Sequence, residues 1–261
     1  MTKIAIIEPD TPTDKVYEAY GTYGNIFSRL LEIGGIDLGS TERPATIKSY
    51  NIVENPTNYP SLDVDSPERP DVILITGSRF NAYDDTDWIV ALVEFARKCL
   101  FEQPADKPIR VIGICYGHQI IGRVLGSKVG PNPKGWEVSS TKITLSDKGK
   151  EIFSEFAEAG YFNIMEMHRD IVFDIPPNAG EDVYILGSTD VCEIQGLYKP
   201  KTFLSLQGHP EFDKFIEEEL LVDRHKKGLF TDEFVADGLA RAGDTNDGNT
   251  LAKAMVRFIY E

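Results

Sequence analysis

One cysteine of this chain is set between two glycines, in Gly113-Ile114-Cys115-Tyr116-Gly117, directly after the mostly apolar run Ile109-Arg110-Val111-Ile112. Gly-x-Cys-x-Gly at the end of a strand is the cysteine form of a nucleophile elbow. Such a turn is so tight that its central residue is held in a strained backbone conformation. The flanking positions favour glycine because a Cβ there would strike the neighbouring strand or helix. The turn lifts the thiol out of the sheet and sets it at the N-terminus of the next helix. There, exposed N–H groups and the helix dipole favour negative charge on the sulfur. A lone cysteine is more often a small buried core residue. The two glycines and the strand–turn–helix context outweigh that reading for Cys115.

A cysteine nucleophile needs a base, and the base needs an orienting group. The chain holds four histidines: His118, His168, His209 and His225. His209 lies in Gln207-Gly208-His209-Pro210-Glu211-Phe212, just after the apolar strand Thr202-Phe203-Leu204-Ser205-Leu206. A His and a Glu two apart on an extended segment point toward the same side. His209 can then take the Cys115 proton while Glu211 holds the ring and stabilises its cationic form. The alternative is a polar turn, with Pro210 ending the strand and Glu211 starting a helix. The presence of Cys115 favours the catalytic reading.

These residues need strands that end together. Ile4-Ala5-Ile6-Ile7 reads as a short buried strand. Tyr23, Ile26, Phe27, Leu30 and Leu31 recur at helical spacing, and Gly34-Gly35 ends that helix. A second strand is expected near Thr46–Val53, then a Pro-, Asn- and Ser-rich surface loop over Asn55–Arg69. The strand Asp71–Ile75 follows, and Trp88, Ile89, Leu92, Val93 and Ala96 form another helical stripe. Past residue 136 the expected strands are Ser140–Leu145, Val183–Ser188, Val191–Tyr198 and Thr202–Leu206. The short links between the last three suggest antiparallel additions to a parallel sheet. The tail from Phe215 reads as helices, with Glu217-Glu218-Glu219 as a solvated face. Asp244–Asn249 reads as a loop before the last helix and matches a calcium loop poorly, lacking the final Glu. The fold class is therefore α/β: an open, mostly parallel sheet flanked by helices, with antiparallel additions.

With 261 residues the chain can bury a sizeable core. A formal net charge of −15 argues against nucleic-acid and anionic-membrane partners. Its three cysteines, Cys99, Cys115 and Cys192, are unclustered, which suggests reduced thiols rather than a disulfide scaffold. No four-ligand zinc pattern is present, and neither metal nor cofactor is expected. Met1-Thr2-Lys3-Ile4-Ala5 runs straight into a strand, so no signal peptide is expected, and no apolar stretch is long enough to cross a membrane. A cytoplasmic location follows as the expectation.

The pairing of Gly113–Gly117 with Gly208-His209-Pro210-Glu211 resembles the class I glutamine amidotransferase family, whose signature combines the two motifs. The resemblance runs from about Lys3 to about Phe215 and is greatest to the stand-alone, GMP-synthase-like branch, which includes fungal amidotransferases and plant γ-glutamyl peptidases. It implies a flavodoxin-like sheet, with Cys115 as nucleophile, His209 as base and Glu211 as orienter. It also places Gln119 against the α-amino and α-carboxylate end of the substrate. Gly77, after the strand Asp71–Ile75, matches the glycine whose N–H lines the oxyanion hole, with the N–H of Tyr116 as second donor. Elementary chemistry agrees: acyl transfer passes through a tetrahedral oxyanion, stabilised by the residue after the nucleophile and by a loop after a neighbouring strand. A His-x-Asp segment of the family corresponds to His168-Arg169-Asp170. This implies substrate-end or supporting contacts for His168 and Asp170, while the bare sequence reads equally as a polar crossover between strands. The loop Gly77-Ser78-Arg79-Phe80 and the acidic stretch Asp84-Asp85-Thr86-Asp87 depart from the Gly-Gly-Pro of synthase-coupled relatives. That departure points to a mouth open to more than free glutamine.

The expectation is one domain over 1–261 with a helical extension from about 215, acting as a cysteine amidohydrolase. Cys115 would attack a γ-glutamyl amide to form a γ-glutamyl thioester. The resemblance consumes most of the chain, so no fused synthase is expected, and ammonia would go to a separate acceptor enzyme or be released. A γ-glutamyl peptidase acting on glutathione-like peptides or conjugates is the alternative. A non-catalytic binding or scaffold protein is a third possibility, which the complete motif pair disfavours.

Overall fold

A computed structural model of the chain describes residues 1–36, 45–176 and 179–261. The first half alternates strands and helices: β1 (Thr2–Glu8), α1 (Asp14–Tyr20), α2 (Tyr23–Ile33), β2 (Ala45–Asn51), β3 (Val72–Ile75), α3 (Asp87–Phe101), β4 (Arg110–Ile114) and α4 (Tyr116–Leu125). The middle is richer in strands: β5 (Val129–Pro131), β6 (Glu137–Leu145), α5 (Asp147–Ile152), β7 (Tyr161–His168), β8 (Asp170–Val172), β9 (Tyr184–Ile185), β10 (Gly187–Ser188), β11 (Gly196–Lys199) and β12 (Phe203–Leu206). Three helices close the chain: α6 (Lys214–Lys226), α7 (Asp232–Arg241) and α8 (Gly248–Ile259). No helix among the described residues is long and apolar enough to cross a membrane.

The central sheet has seven strands in the order β2-β1-β3-β4-β12-β11-β9. The first five run parallel, and β11 and β9 add antiparallel pairings at the far edge. Successive side chains on a strand point to opposite faces, and both faces here are covered. Ile4, Ile6, Leu74, Ile112 and Leu206 pack with Phe27 and Leu31 of α2 and with α8. Ala5, Ile7, Ile73, Ile75 and Val111 pack with Leu92 of α3 and Ile120 of α4 on the other side. Two-sided burial explains why these strands read as continuous apolar runs rather than alternating ones. The strands β3, β4 and β12 are neighbours in the middle of the sheet. Their C-terminal ends therefore bring Gly77, Cys115 and His209 to one edge.

Three expectations need correction. Thr202–Leu206 is not an antiparallel addition: β12 pairs parallel with β4 and antiparallel only with β11, because it completes the buried parallel core. The single strand expected at Val183–Ser188 divides at Leu186. There β9 joins the central sheet, while β10 joins β6 and β7 in a separate three-stranded sheet. And Glu217 is not solvated. It is fully buried, its Oε1 accepting the Ser139 N–H at 2.9 Å, while the Ser139 hydroxyl donates to the Gly238 carbonyl at 2.7 Å. Ser139 reaches this position with a φ of 62°, a strained value for a residue with a Cβ.

Burial pushes the Glu217 carboxyl up to about 7, against the lowering effect of the Ser139 N–H. The folded protein thus holds this proton more tightly than the unfolded chain does. Its stabilising contribution is complete below the ordinary value of 4.5 and is lost as pH rises through about 7. Glu217→Gln keeps an acceptor for Ser139 and removes the titration. Between pH ~4.5 and ~8 the stability difference should move in the variant's favour by about 1–3 kcal/mol. Denaturant unfolding at both pH values measures this, and a pH-independent difference would contradict it.

Candidate active site

Cys115 occupies the turn between β4 and α4 with φ 49° and ψ −97°. Such a conformation costs a non-glycine residue about 1–3 kcal/mol. It is held by two backbone bonds, from the Cys115 N–H to the Leu206 carbonyl at 2.8 Å and from the Gln119 N–H to the Cys115 carbonyl at 3.0 Å. The flanking glycines are required by close approach. A Cβ on Gly113 would lie 2.5 Å from the Gly117 carbonyl oxygen, and one on Gly117 would lie 2.3 Å from that of Ile75. Among the described residues, the N–H groups of Gly77 and Tyr116 have no acceptor within the protein.

His209 follows β12, and its N–H donates to the Met165 carbonyl of β7 at 2.7 Å. The ring stacks on Phe212 at 3.9 Å with planes 8° apart. Its Nδ1 lies 2.8 Å from Glu211 Oε1, and the Cys115 side chain lies close enough to act on the charge of the ring. Burial by itself would lower the pKa of this imidazole. The Glu211 carboxylate and the Cys115 sulfur outweigh burial and hold it well above the ordinary histidine value. Cys115, His209 and Glu211 thus stand in one line, with Glu211 hydrogen-bonded to the ring and the ring beside the sulfur. The other histidines stand apart from it. His118 meets Ser205 Oγ at 2.9 Å, and burial, then the charge of His168, lowers its pKa to about 3, so it is a neutral core residue. His225 pairs with Asp232 at the surface.

His168 is buried with its Nε2 3.1 Å from Glu166 and 3.2 Å from Glu137, and its Nδ1 3.2 Å from the Asp170 carbonyl. Burial opposes its charge, but the two carboxylates prevail and raise its pKa to about 10. Both ring nitrogens therefore face protein groups. The Gln119 amide nitrogen donates to the same Asp170 carbonyl at 2.9 Å and to Gln207 Oε1 at 3.3 Å. The Asp170 carboxyl is raised by burial, with Arg169 3.6 Å away as a partial counterweight.

Two cavities meet at Cys115. One, of about 250 Å³, is walled by Gln119, His168, Arg169 and Asp170. The other, of about 240 Å³, is walled by His209, Gly77, Asp10 and Lys227. Arg79, Trp136 and Arg224 border both. Arg79 is clamped by Asp10, with Nε 2.8 Å from Oδ1 and the backbone N–H 2.8 Å from Oδ2. The Trp136 ring centroid lies 5.8 Å from the guanidinium of Arg169 and 5.8 Å from that of Arg224. Sequence reasoning missed Asp10, Trp136 and Arg224 as site residues. They belong to separate segments without motif or periodicity, and only the fold brings them together. Among the described residues no group of three or more His, Cys, Asp or Glu could hold a metal ion.

A mostly parallel α/β sheet with a cysteine, a histidine and a carboxylate joined at its C-terminal edge matches a known class of proteins. The family model for glutamine amidotransferase class-I covers residues 44–227, and this chain belongs to that family. It is 36% identical over 258 residues to a glutamine amidotransferase-like protein of Schizosaccharomyces pombe, covering 99% of this chain and 98% of that one. It is 33% identical over 165 residues to γ-glutamyl peptidase 3 of Arabidopsis thaliana, 62% of each chain. A glutamine amidotransferase of Thermotoga maritima shares the fold, with a TM-score of 0.70 at 16% identity over 100% of this chain and 99% of that one.

Proposed function

We propose that this chain cleaves γ-glutamyl amides through a γ-glutamyl thioester on Cys115. The observation that carries the reading is the relay from Glu211 through His209 to Cys115, set beside two unpartnered N–H groups. The sulfur attacks the γ-carbonyl carbon, and the oxygen takes the negative charge between the N–H groups of Gly77 and Tyr116. His209 gives its proton to the departing nitrogen as the C–N bond breaks. The amine leaves, and the acyl group stays on sulfur. Water then attacks the thioester, His209 takes its proton, and glutamate departs as the C–S bond breaks. Residues 1–261 act as one unit in this reading, since α6 carries Arg224 into the site.

The γ-glutamyl head fits the cavity of Gln119, Arg169 and Asp170, which offers a cation for a carboxylate and an anion for an ammonium. Rates with glutamine, a γ-glutamyl dipeptide and N-acetylglutamine, followed by release of glutamate or acetylglutamate, test this. The blocked head should react at least about tenfold more slowly than the best unblocked substrate, because a buried polar site left unpaired is costly. Equal rates would remove the head-group assignment.

Gly77 supplies a second test. Its φ is open to alanine, but an added Cβ would stand 2.8 Å from His209 Cε1 and 3.8 Å from the Cys115 Cβ. The imidazole must then shift off the sulfur. Gly77→Ala should lower kcat by about 100-fold, the scale of an ångström-sized misplacement, with little change in unfolding midpoint. Unaltered kcat would show that the ring does not work from this position.

A further inference from the structure

We propose that the cavity on the His209 side is a leaving-group subsite for an amine that carries a carboxylate, and that Arg224 receives that carboxylate. This rests on the cleavage reading above and names its substrate class: γ-glutamyl amino acids or peptides with a free carboxylate on the departing part.

The side of the scissile bond is set by the proton donor. His209 must reach the departing nitrogen, and of the two cavities His209 borders this one and not the other. The head-group candidates Gln119, Arg169 and Asp170 border only the other. A γ-glutamyl amide bound across Cys115 therefore projects whatever hangs on its nitrogen into the cavity of Lys227, with Arg224 at the border it shares with the head-group cavity. Size argues against ammonia as the intended product. A molecule the size of water, such as ammonia, needs only about 10–15 Å³ of cavity space, whereas this cavity offers about 240 Å³. Its walls include Phe212 and Leu220, which the other cavity lacks, apolar surface for an amino-acid side chain.

Charge identifies the anchoring residue. Three cations reach the cavity in a chain of net charge −15. Arg79 is held by Asp10 at 2.7 Å, and Lys227 by Asp223 at 2.6 Å. Arg224 is half-buried and has no carboxylate partner among the described residues. Its guanidinium is steadied instead over the Trp136 ring. A half-buried guanidinium fork that pairs with no carboxylate among the described residues suits a carboxylate ligand, which it can bind bidentately.

The test compares γ-glutamylleucine with γ-glutamylleucinamide, using the full chain. The pair exchanges the carboxylate of the departing part for a carboxamide, and the change of their ratio in Arg224 variants separates the charge contact from the altered basicity of the leaving amine. In the wild type, kcat/KM for the acid should exceed that for the amide by roughly tenfold or more, the scale of one charge-assisted hydrogen bond. In Arg224→Gln the acid-to-amide ratio should fall to within about twofold of one, and Arg224→Lys should restore part of it. A ratio taken within one protein is insensitive to loss of folded enzyme. Equal rates for acid and amide in the wild type would overturn the subsite while leaving γ-glutamyl cleavage standing. A ratio that survives Arg224→Gln would overturn the role of Arg224. If no γ-glutamyl compound is cleaved and a glutamine-like chloroketone fails to alkylate Cys115, the cleavage reading falls and this inference falls with it.

Discussion

Cys115→Ser should leave a folded protein with no measurable release of glutamate from any γ-glutamyl substrate. Serine keeps the size of the side chain and fits the same turn, so the unfolding midpoint should stay within about 3 °C of wild type, as expected for a change well under 1–2 kcal/mol in a chain of this size. What it removes is a soft nucleophile placed where β4 ends, α4 begins and the His209 ring makes contact. The companion experiment is alkylation of the wild type by a glutamine-mimicking chloroketone. Cys115 borders both cavities. Cys99 and Cys192 are 2% and 0% exposed, and burial drives both thiols well above the ordinary cysteine range. Peptide mass mapping should therefore find the label on Cys115 alone. Full activity in Cys115→Ser, or label chiefly on the other two cysteines, would end the mechanism.

The second large effect is graded along the relay. His209→Ala should cost on the order of 10⁴-fold or more in kcat, because it removes the group placed both to relieve the sulfur of its proton and to supply one to the leaving amine. Glu211→Gln should cost some tenfold to hundredfold less, since the orienter acts through the base. The geometry makes the second variant informative. Glu211 is buried, and only its Oε1 meets the ring, at 2.8 Å. Glutamine can keep that contact while withdrawing the carboxylate charge that helps His209 hold its proton. Phe212 would still stack on the ring and Met165 would still hold the His209 backbone, so the loss should reflect charge more than position. Losses of equal size would show that Glu211 is needed for more than orientation. Wild-type kcat in His209→Ala would remove it as the base.

Much of this was legible in the chain because it depends on neighbours in sequence. Gly113 sits where a Cβ would meet the carbonyl oxygen of Gly117 at 2.5 Å, and the strained φ at Cys115 belongs to the same short segment. The apolar runs of β1, β3 and β4 and the stripe of α3 are local patterns of period two or of none, and of 3.6, and they fall where periodicity places them. His209 and Glu211 meet because two residues on one extended segment share a side.

What the pattern of residues left open was decided by pairing between distant segments. β7 escaped notice because its inward positions include Glu166 and His168, buried polar groups that break an apolar signature and are tolerable only because they face each other and Glu137. Glu217, on α6, looks solvated among its acidic neighbours until Ser139, on β6, offers its N–H. Thr202–Leu206 takes its parallel place because the gap beside β4 is there to fill, which no window along the sequence can reveal. Arg224, Trp136 and Asp10 enter the site in the same way, from α6, the approach to β6 and the loop after β1. Local sterics and hydrogen bonds within a few residues are written in the order of side chains. The burial of a charge depends on a partner that arrives only when the chain has closed on itself.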